Sequence, residues 1–145
     1  MKHIFAELEG VDVSAEMLKV AVEKNAYKQL WHADIIQYLR NGSLSFDYFF
    51  AADVFIYVGD LSEVFELVKT RNDRTGQFVF SIEMSQEDGY QLGRSGRYAH
   101  NPSYIKKLRD TFDYKILHRA DLTLRKERES NVLGSIYMLE FQVRN

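Results

Sequence analysis

The chain has 145 residues, 46% of them hydrophobic and 14% aromatic, enough material for one globular domain spanning 1–145 with a core of its own. A domain of this size buries roughly 68–70% of the surface its unfolded chain exposes, so it needs neither a disulfide nor a metal to hold it together. The absence of cysteine excludes a disulfide framework, a zinc ribbon, a thiol nucleophile and an iron–sulfur cluster, and a formal charge of −2 gives no reason to expect nucleic acid as a partner.

Charge is spread along the chain: the segments on either side of Asn72 carry −4 and +2, a mild asymmetry and no basic arm. Met1–Gly10 holds one lysine and then Glu7 and Glu9, which does not make an export signal. The longest apolar stretch, Tyr48–Val58, is interrupted by Asp53 and falls short of the roughly 18 residues of a membrane span. The sequence therefore reads as a soluble, cytoplasmic protein with no membrane partner. Eight scattered glycines and a single proline mark no linker and no internal repeat.

In chain order, strand and helix alternate. Leu8–Val13 reads as a short strand, with Ser14 placed to cap a helix on which Met17, Leu18, Ala21 and Val22 recur at helical spacing. Gln29–Ala33 is a second strand, followed at Asp34 by a short helix through Leu39. Arg40–Ser45 is a polar turn, and Phe46–Ala51 is a run of β-formers expected to be buried on both faces. Leu61, Val64, Phe65 and Val68 define an amphipathic helix over 61–70. Gln77–Ile82 is the next strand, and Asn101 with Pro102 opens a helix to Phe112, because the N–H that proline lacks is not needed in a first helical turn. Two long strands, Tyr114–Leu124 and Val132–Val143, are joined by the charged turn RKERESN, and Leu139, Phe141 and Val143 alternate with polar residues.

This order predicts an α/β fold with a Rossmann-like, mostly parallel sheet and a C-terminal antiparallel hairpin. In such sheets ligands bind at the carboxyl ends of the strands, which is where Asp12, Asp34 and Asp53 fall. Taken singly, an aspartate ahead of a helix is also a helix cap, and that reading stands beside the functional one for Asp12 and Asp34.

The segments LEGVDVSAEML, HADIIQYL, FDYFFAADVFIYVGDL, GQFVFSIE and GRYAHNPSYI, in this order, resemble the class I S-adenosylmethionine-dependent methyltransferases over nearly the whole chain, most closely the bacterial small-molecule type. The resemblance implies S-adenosylmethionine as cofactor and a small-molecule acceptor for its methyl group. It implies that Asp12 accepts the ribose hydroxyls, that Val13 lies beside the adenine, and that Asp34 receives the adenine amino group with the Ile35 N–H facing the ring. It places Asp53 where the family keeps groups near the transferred methyl. The match has one departure: no two glycines are separated by a single residue, so the family's Gly-rich turn after its first strand is absent. Only eleven residues precede Asp12, against about 20 between fingerprint and ribose-binding acid in dinucleotide folds. Met1–Glu9 can then supply the tail of a first helix and not a first strand, and the chain reads as N-terminally truncated.

Loss of a central strand exposes two strand edges, which predicts a homodimer, a strand-exchanged oligomer, or direct pairing of GVDV with FDYFFA. A non-catalytic interaction module or truncated remnant that associates with a partner through those edges is the alternative function. A phosphoacceptor receiver domain shares the alternation but requires a lysine after the last parallel strand, where this chain has Glu83. Ser85–His100 reads as a loop of functional length, in which Tyr90, Arg94, Arg97, Tyr98 and His100 are candidates to close over an acceptor, Arg97 for a carboxylate and His100 or a tyrosine for proton removal. The four histidines form no metal-binding spacing, so no metal is expected. Arg119, Arg125, Lys126 and Arg128, interleaved with acids, read as a solvated edge that resists aggregation.

Overall fold

The structure is a computed structural model and describes residues 7–143. Most of the stretch read as the tail of a first helix, and Arg144 and Asn145 at the other end, lie outside the described residues. The chain forms two compact units that divide after Gly42, within the predicted polar turn.

The first unit contains β1 (Glu9–Asp12), α1 (Ala15–Glu23), β2 (Gln29–His32) and α2 (Ile35–Arg40). The strands pair in parallel, Glu9 opposite Gln29 through Asp12 opposite His32. Ser14 caps α1 as expected, its hydroxyl accepting the Met17 N–H at 3.2 Å. Leu18 and Ala21 are half-buried, whereas Met17 and Val22 remain exposed. Leu39 is the unit's one buried residue among those described.

The second unit contains β3 (Tyr48–Ala51), a 3-10 turn over Phe55–Tyr57, α3 (Ser62–Thr70), β4 (Gly76–Glu83), β5 (Tyr90–Leu92), β6 (Tyr98–His100), α4 (Pro102–Phe112), β7 (Lys115–Glu127) and β8 (Ser130–Phe141). Its main sheet has the order β3-β4-β8-β7, parallel between β3 and β4 and antiparallel beyond. The mixed α/β architecture is thus the expected one. GVDV pairs with β2 and FDYFFA with β4, so the direct pairing of these two segments is not among the ladders.

One face of this sheet is the core. Phe78 and Phe80 on β4, 4.8 Å apart between ring centres, meet Phe65 of α3 edge-on at 5.5 Å each, and Tyr137 of β8 stacks on Phe80 at 5.3 Å. Leu61, Val64, Phe65 and Val68, the stripe the sequence singled out, are all buried. Tyr114 is buried against Phe65 and donates its hydroxyl to the Phe65 carbonyl at 2.5 Å, and desolvation drives that phenol's pKa far above its ordinary value. Asn101 caps α4 through the Ser103 N–H, with Pro102 at its first position.

Three expectations need correction. FDYFFA is not buried on both faces: half-buried Phe49, 6.2 Å from Phe141 between ring centres, and buried Ala51 alternate with exposed Tyr48 and Phe50, because successive side chains of a strand point to opposite faces and the aromatic core lies on one of them. Ser85–His100 is not structureless, since β5 and β6 pair from Tyr90–His100 to Leu92–Tyr98. The charged RKERESN segment is mostly strand: β7 runs to Glu127 and β8 starts at Ser130, leaving Arg128 in the left-handed region at φ 54° to make the turn. The edge strand β7 is interrupted by two register shifts and studded with charge, a form that discourages pairing with other chains.

Entry into β3 is fixed by buried Asn72, whose Oδ1 accepts the Phe46 N–H at 2.9 Å and whose Nδ2 donates to the carbonyls of Phe46 and Arg74, each at 2.8 Å. Asn72→Ala leaves these backbone groups without partners. We expect it to lower unfolding free energy by roughly 1–3 kcal/mol in urea titrations, and an unchanged midpoint would refute the role.

Candidate functional site

In the first unit, parallel pairing brings the carboxyl ends of β1 and β2 side by side. Beyond Asp12 the chain turns into α1, with the Asp12 Oδ1 accepting the Ser14 N–H at 2.8 Å. Beyond His32 it turns into α2, with the Asp34 Oδ1 accepting the Gln37 N–H at 2.9 Å as that helix's cap. The two turns are joined: the Ala33 N–H donates to the Asp12 carbonyl at 3.1 Å, and the His32 Nε2 donates to the Val13 carbonyl at 2.9 Å. Asp12 and Asp34 therefore stand on one rim.

Asp34 caps α2 and Asp12 closes the turn into α1, and each carboxylate remains open to a ligand. One oxygen is spent on a backbone N–H, and among the described residues the other receives no protein donor. Val13 stands 64% exposed beside Asp12, an apolar surface next to a hydrogen-bond acceptor. Ile35 is the first residue of α2, a position whose N–H has no acceptor within the helix. Sequence spacing did not link Glu9 to Tyr38, yet the Tyr38 hydroxyl reaches the Glu9 carboxylate at 3.5 Å. Burial first, and the Glu9 charge second, push this phenol's pKa up to about 12, so it stays a donor.

In the second unit Asp53 follows β3 in the left-handed region at φ 54°, a conformation that most side chains resist and aspartate tolerates. Its N–H donates to the Ser81 Oγ of β4 at 3.1 Å, which pins the turn while the carboxylate stays exposed. The β5–β6 hairpin distributes the other candidates. Tyr90 is exposed, Tyr98 and Arg97 are half-buried, and His100 is wholly buried, its Nε2 donating to the carbonyls of Val58 and Gly59 at 3.0 and 2.9 Å. Arg97 is engaged by two carboxylates, Glu83 at 3.2 Å and Glu127, and Arg125 contacts the same two. This square of alternating charge ties the hairpin to β4 and β7, so binding an acceptor's carboxylate at Arg97 must displace a protein carboxylate. Arg94 is exposed. The described residues contain no group of three side chains placed to hold a metal, and no described helix is long and apolar enough to cross a membrane.

The sequence missed Asp60 and Tyr104. The Tyr104 hydroxyl donates to the Asp60 Oδ1 at 3.0 Å and accepts the Leu61 N–H at 2.9 Å, while Asp60 also accepts from the Ser62 hydroxyl at 2.6 Å. Those bonds, led by Ser62, hold the Asp60 carboxyl below its usual range, and burial raises the Tyr104 phenol to about 12. The residues lie 44 positions apart, a separation no local pattern reports.

No protein-family model and no curated protein matches the sequence. Solved structures do. A SAM-dependent methyltransferase from Methanosarcina mazei superimposes with a TM-score of 0.72 at 14% identity, over 95% of this chain and 83% of that one. The N-methyltransferase NodS from Bradyrhizobium japonicum, in complex with S-adenosyl-L-homocysteine, gives 0.67 at 19% identity, over 92% and 66%. The [4+2]-cyclase SpnF gives 0.73 at 11%, over 95% and 67%. The chain has the fold of the class I S-adenosylmethionine-dependent methyltransferases, a fold that also carries chemistry other than methyl transfer.

The left-handed turn at Asp53 yields a direct test. Asp53→Val should cost about 1–2 kcal/mol of unfolding free energy in urea titrations because a β-branched residue resists that φ, while Asp53→Gly should be close to neutral. Equal losses in both variants would show that the side chain, and not the backbone conformation, sets the stability of the turn.

Proposed function

We propose that the chain binds the adenosine part of S-adenosylmethionine at the rim of the first unit and descends from enzymes that transfer its methyl group to a small acceptor. Asp12 takes the ribose hydroxyls on its open carboxylate oxygen, since one carboxylate accepts adjacent O–H donors with charge-assisted strength. Asp34 takes the adenine amino group, the Ile35 N–H faces a ring nitrogen, and Val13 covers the ring. The observation that carries this reading is the joining of the Asp12 and Asp34 turns by the Ala33 N–H, which sets two half-used carboxylates and an exposed valine on one edge. The S-adenosyl-L-homocysteine complex of NodS and the methyltransferase fold of the neighbours support it.

In the second unit, Asp53 and the β5–β6 hairpin lie at the carboxyl ends of β3 and β4, where Tyr90 and Tyr98 offer ring surface to a small ligand. The 145 residues contain no G-x-G turn, so the backbone surface that normally aligns the methionine part of the cofactor is not supplied by this sequence. Binding is accordingly weak and transfer slow or absent in the isolated chain. The open edge of β1, paired with β2 alone among the described residues, is where a second copy would add a strand.

Isothermal titration with S-adenosylmethionine tests the proposal. Saturable binding should appear at micromolar to millimolar ligand and weaken about tenfold or more in Asp12→Asn, which keeps an oxygen for the Ser14 N–H and loses the charge. Equal affinity in the variant overturns the role of Asp12, and silence at millimolar ligand overturns cofactor binding and favours the interaction module.

A further inference from the structure

The second unit contains a buried histidine that the proposed chemistry does not use. His100 ends β6 with no exposed surface. Its Nε2 donates to two consecutive carbonyls, Val58 and Gly59, which lie five and six residues beyond Asp53 on the same connection. Its own backbone is held from two directions, by the ladder to Tyr90 and by the Ser85 N–H donating to its carbonyl at 3.0 Å. The imidazole lies nearly parallel to Tyr104, 6.0 Å between centres, and Tyr104 grips the same connection further on through Asp60 and Leu61. Gly59 fits only because it lacks a side chain: a Cβ there would stand 2.8 Å from the rings of both Tyr90 and Tyr98.

The other ring nitrogen, Nδ1, is buried without a hydrogen-bond partner. With Nε2 as the donor, Nδ1 carries a lone pair. A proton added there finds no acceptor, and the resulting charge sits in a site closed to water. The titratable groups packed around the ring are Tyr90 on β5 and Tyr104 on α4, with Tyr98 behind Tyr90 and the Asp60 carboxylate one hydrogen bond away behind Tyr104. None offers Nδ1 a direct counter-charge.

We propose that His100 is a positioning residue that acts only when neutral: it clamps the connection carrying Asp53 to the β5–β6 hairpin, and its protonation releases both segments together. Two loops at the carboxyl ends of adjacent parallel strands then behave as one body, and acid converts them into two mobile ones. The environment supports this direction. Burial lowers the imidazole's pKa from its ordinary 6.5, and the two carbonyl acceptors offset that only in part. Because the folded value lies below the unfolded one, the clamp is intact above about 6.5 and weakens as pH falls through 6.5 toward the lowered value. The inference stands on the second unit alone and does not require the cofactor to bind.

Hydrogen–deuterium exchange of the full chain, corrected for the intrinsic pH dependence of exchange, tests it at pH 7.5 and pH 5. Peptides covering 53–62 and 85–101 should lose protection together, by about tenfold or more, since one proton changes an equilibrium by up to tenfold per pH unit. His100→Gln keeps an N–H donor at the Nε2 position and cannot be protonated, so its two peptides should stay equally protected at both pH values. Loss of protection in only one segment, no loss in the wild type, or the same acid loss in His100→Gln would overturn the proposal. If that variant fails to fold, the wild type decides: the midpoint of the His100 ring titration by NMR must coincide with the midpoint of deprotection, and separate midpoints refute the clamp.

Discussion

Strands β1 and β2 run in the same direction, and that fact determines what the first unit can do. Parallel neighbours end on the same side, so the residues that turn each strand into its helix are forced together, and here those residues are Asp12 and Asp34. An antiparallel pair would have placed the two turns at opposite ends. The local role of each aspartate, turn closure at Asp12 and helix capping at Asp34, then ceases to compete with ligand binding, because it consumes one oxygen and fixes the direction of the other.

The same rule operates in the second unit with different hardware. β3 and β4 are parallel, so the turn at Asp53 and the segment leading to the β5–β6 hairpin lie at neighbouring strand ends. Ser81, one register position from the end of the ladder with β3, holds the first turn. His100 and Tyr104 hold the connection that follows it, and the Glu83–Arg97–Arg125–Glu127 square holds the hairpin segment. Groups that look in sequence like reagents, Arg97 and His100 above all, are occupied as fasteners. The aromatic core beneath β4 gives them a rigid base: Phe65, Phe78, Phe80 and Tyr137 have no freedom to follow a moving loop.

What was legible in the sequence followed from how local the cause was. Helix caps at Ser14, Asp34 and Asn101, the Leu61–Val68 stripe and the strand–helix alternation depend on residues within one or two turns of each other, and the structure has them. The two-sided burial expected for FDYFFA failed because a run of β-formers reports strand propensity and not how many faces are covered. The β5–β6 hairpin was missed because its strands are only three residues long, too short for an alternation to show. The Asp60–Tyr104 and Glu83–Arg125 contacts join residues more than forty positions apart, which only the fold can reveal. Burial of His100 belongs with these: a polar GRYAH segment carries no local sign that its last residue is the one sealed from solvent.

The central claim is that the β1–β2 rim recognises adenosine. Backbone amide NMR of the full chain, titrated with S-adenosylmethionine, addresses it residue by residue. The account predicts that the largest shifts fall on Val13, Ser14 and Ile35, that adenosine alone moves the same amides, and that the β7–β8 hairpin is silent. Shifts confined to the second unit, or an unchanged spectrum at saturating ligand, would contradict it.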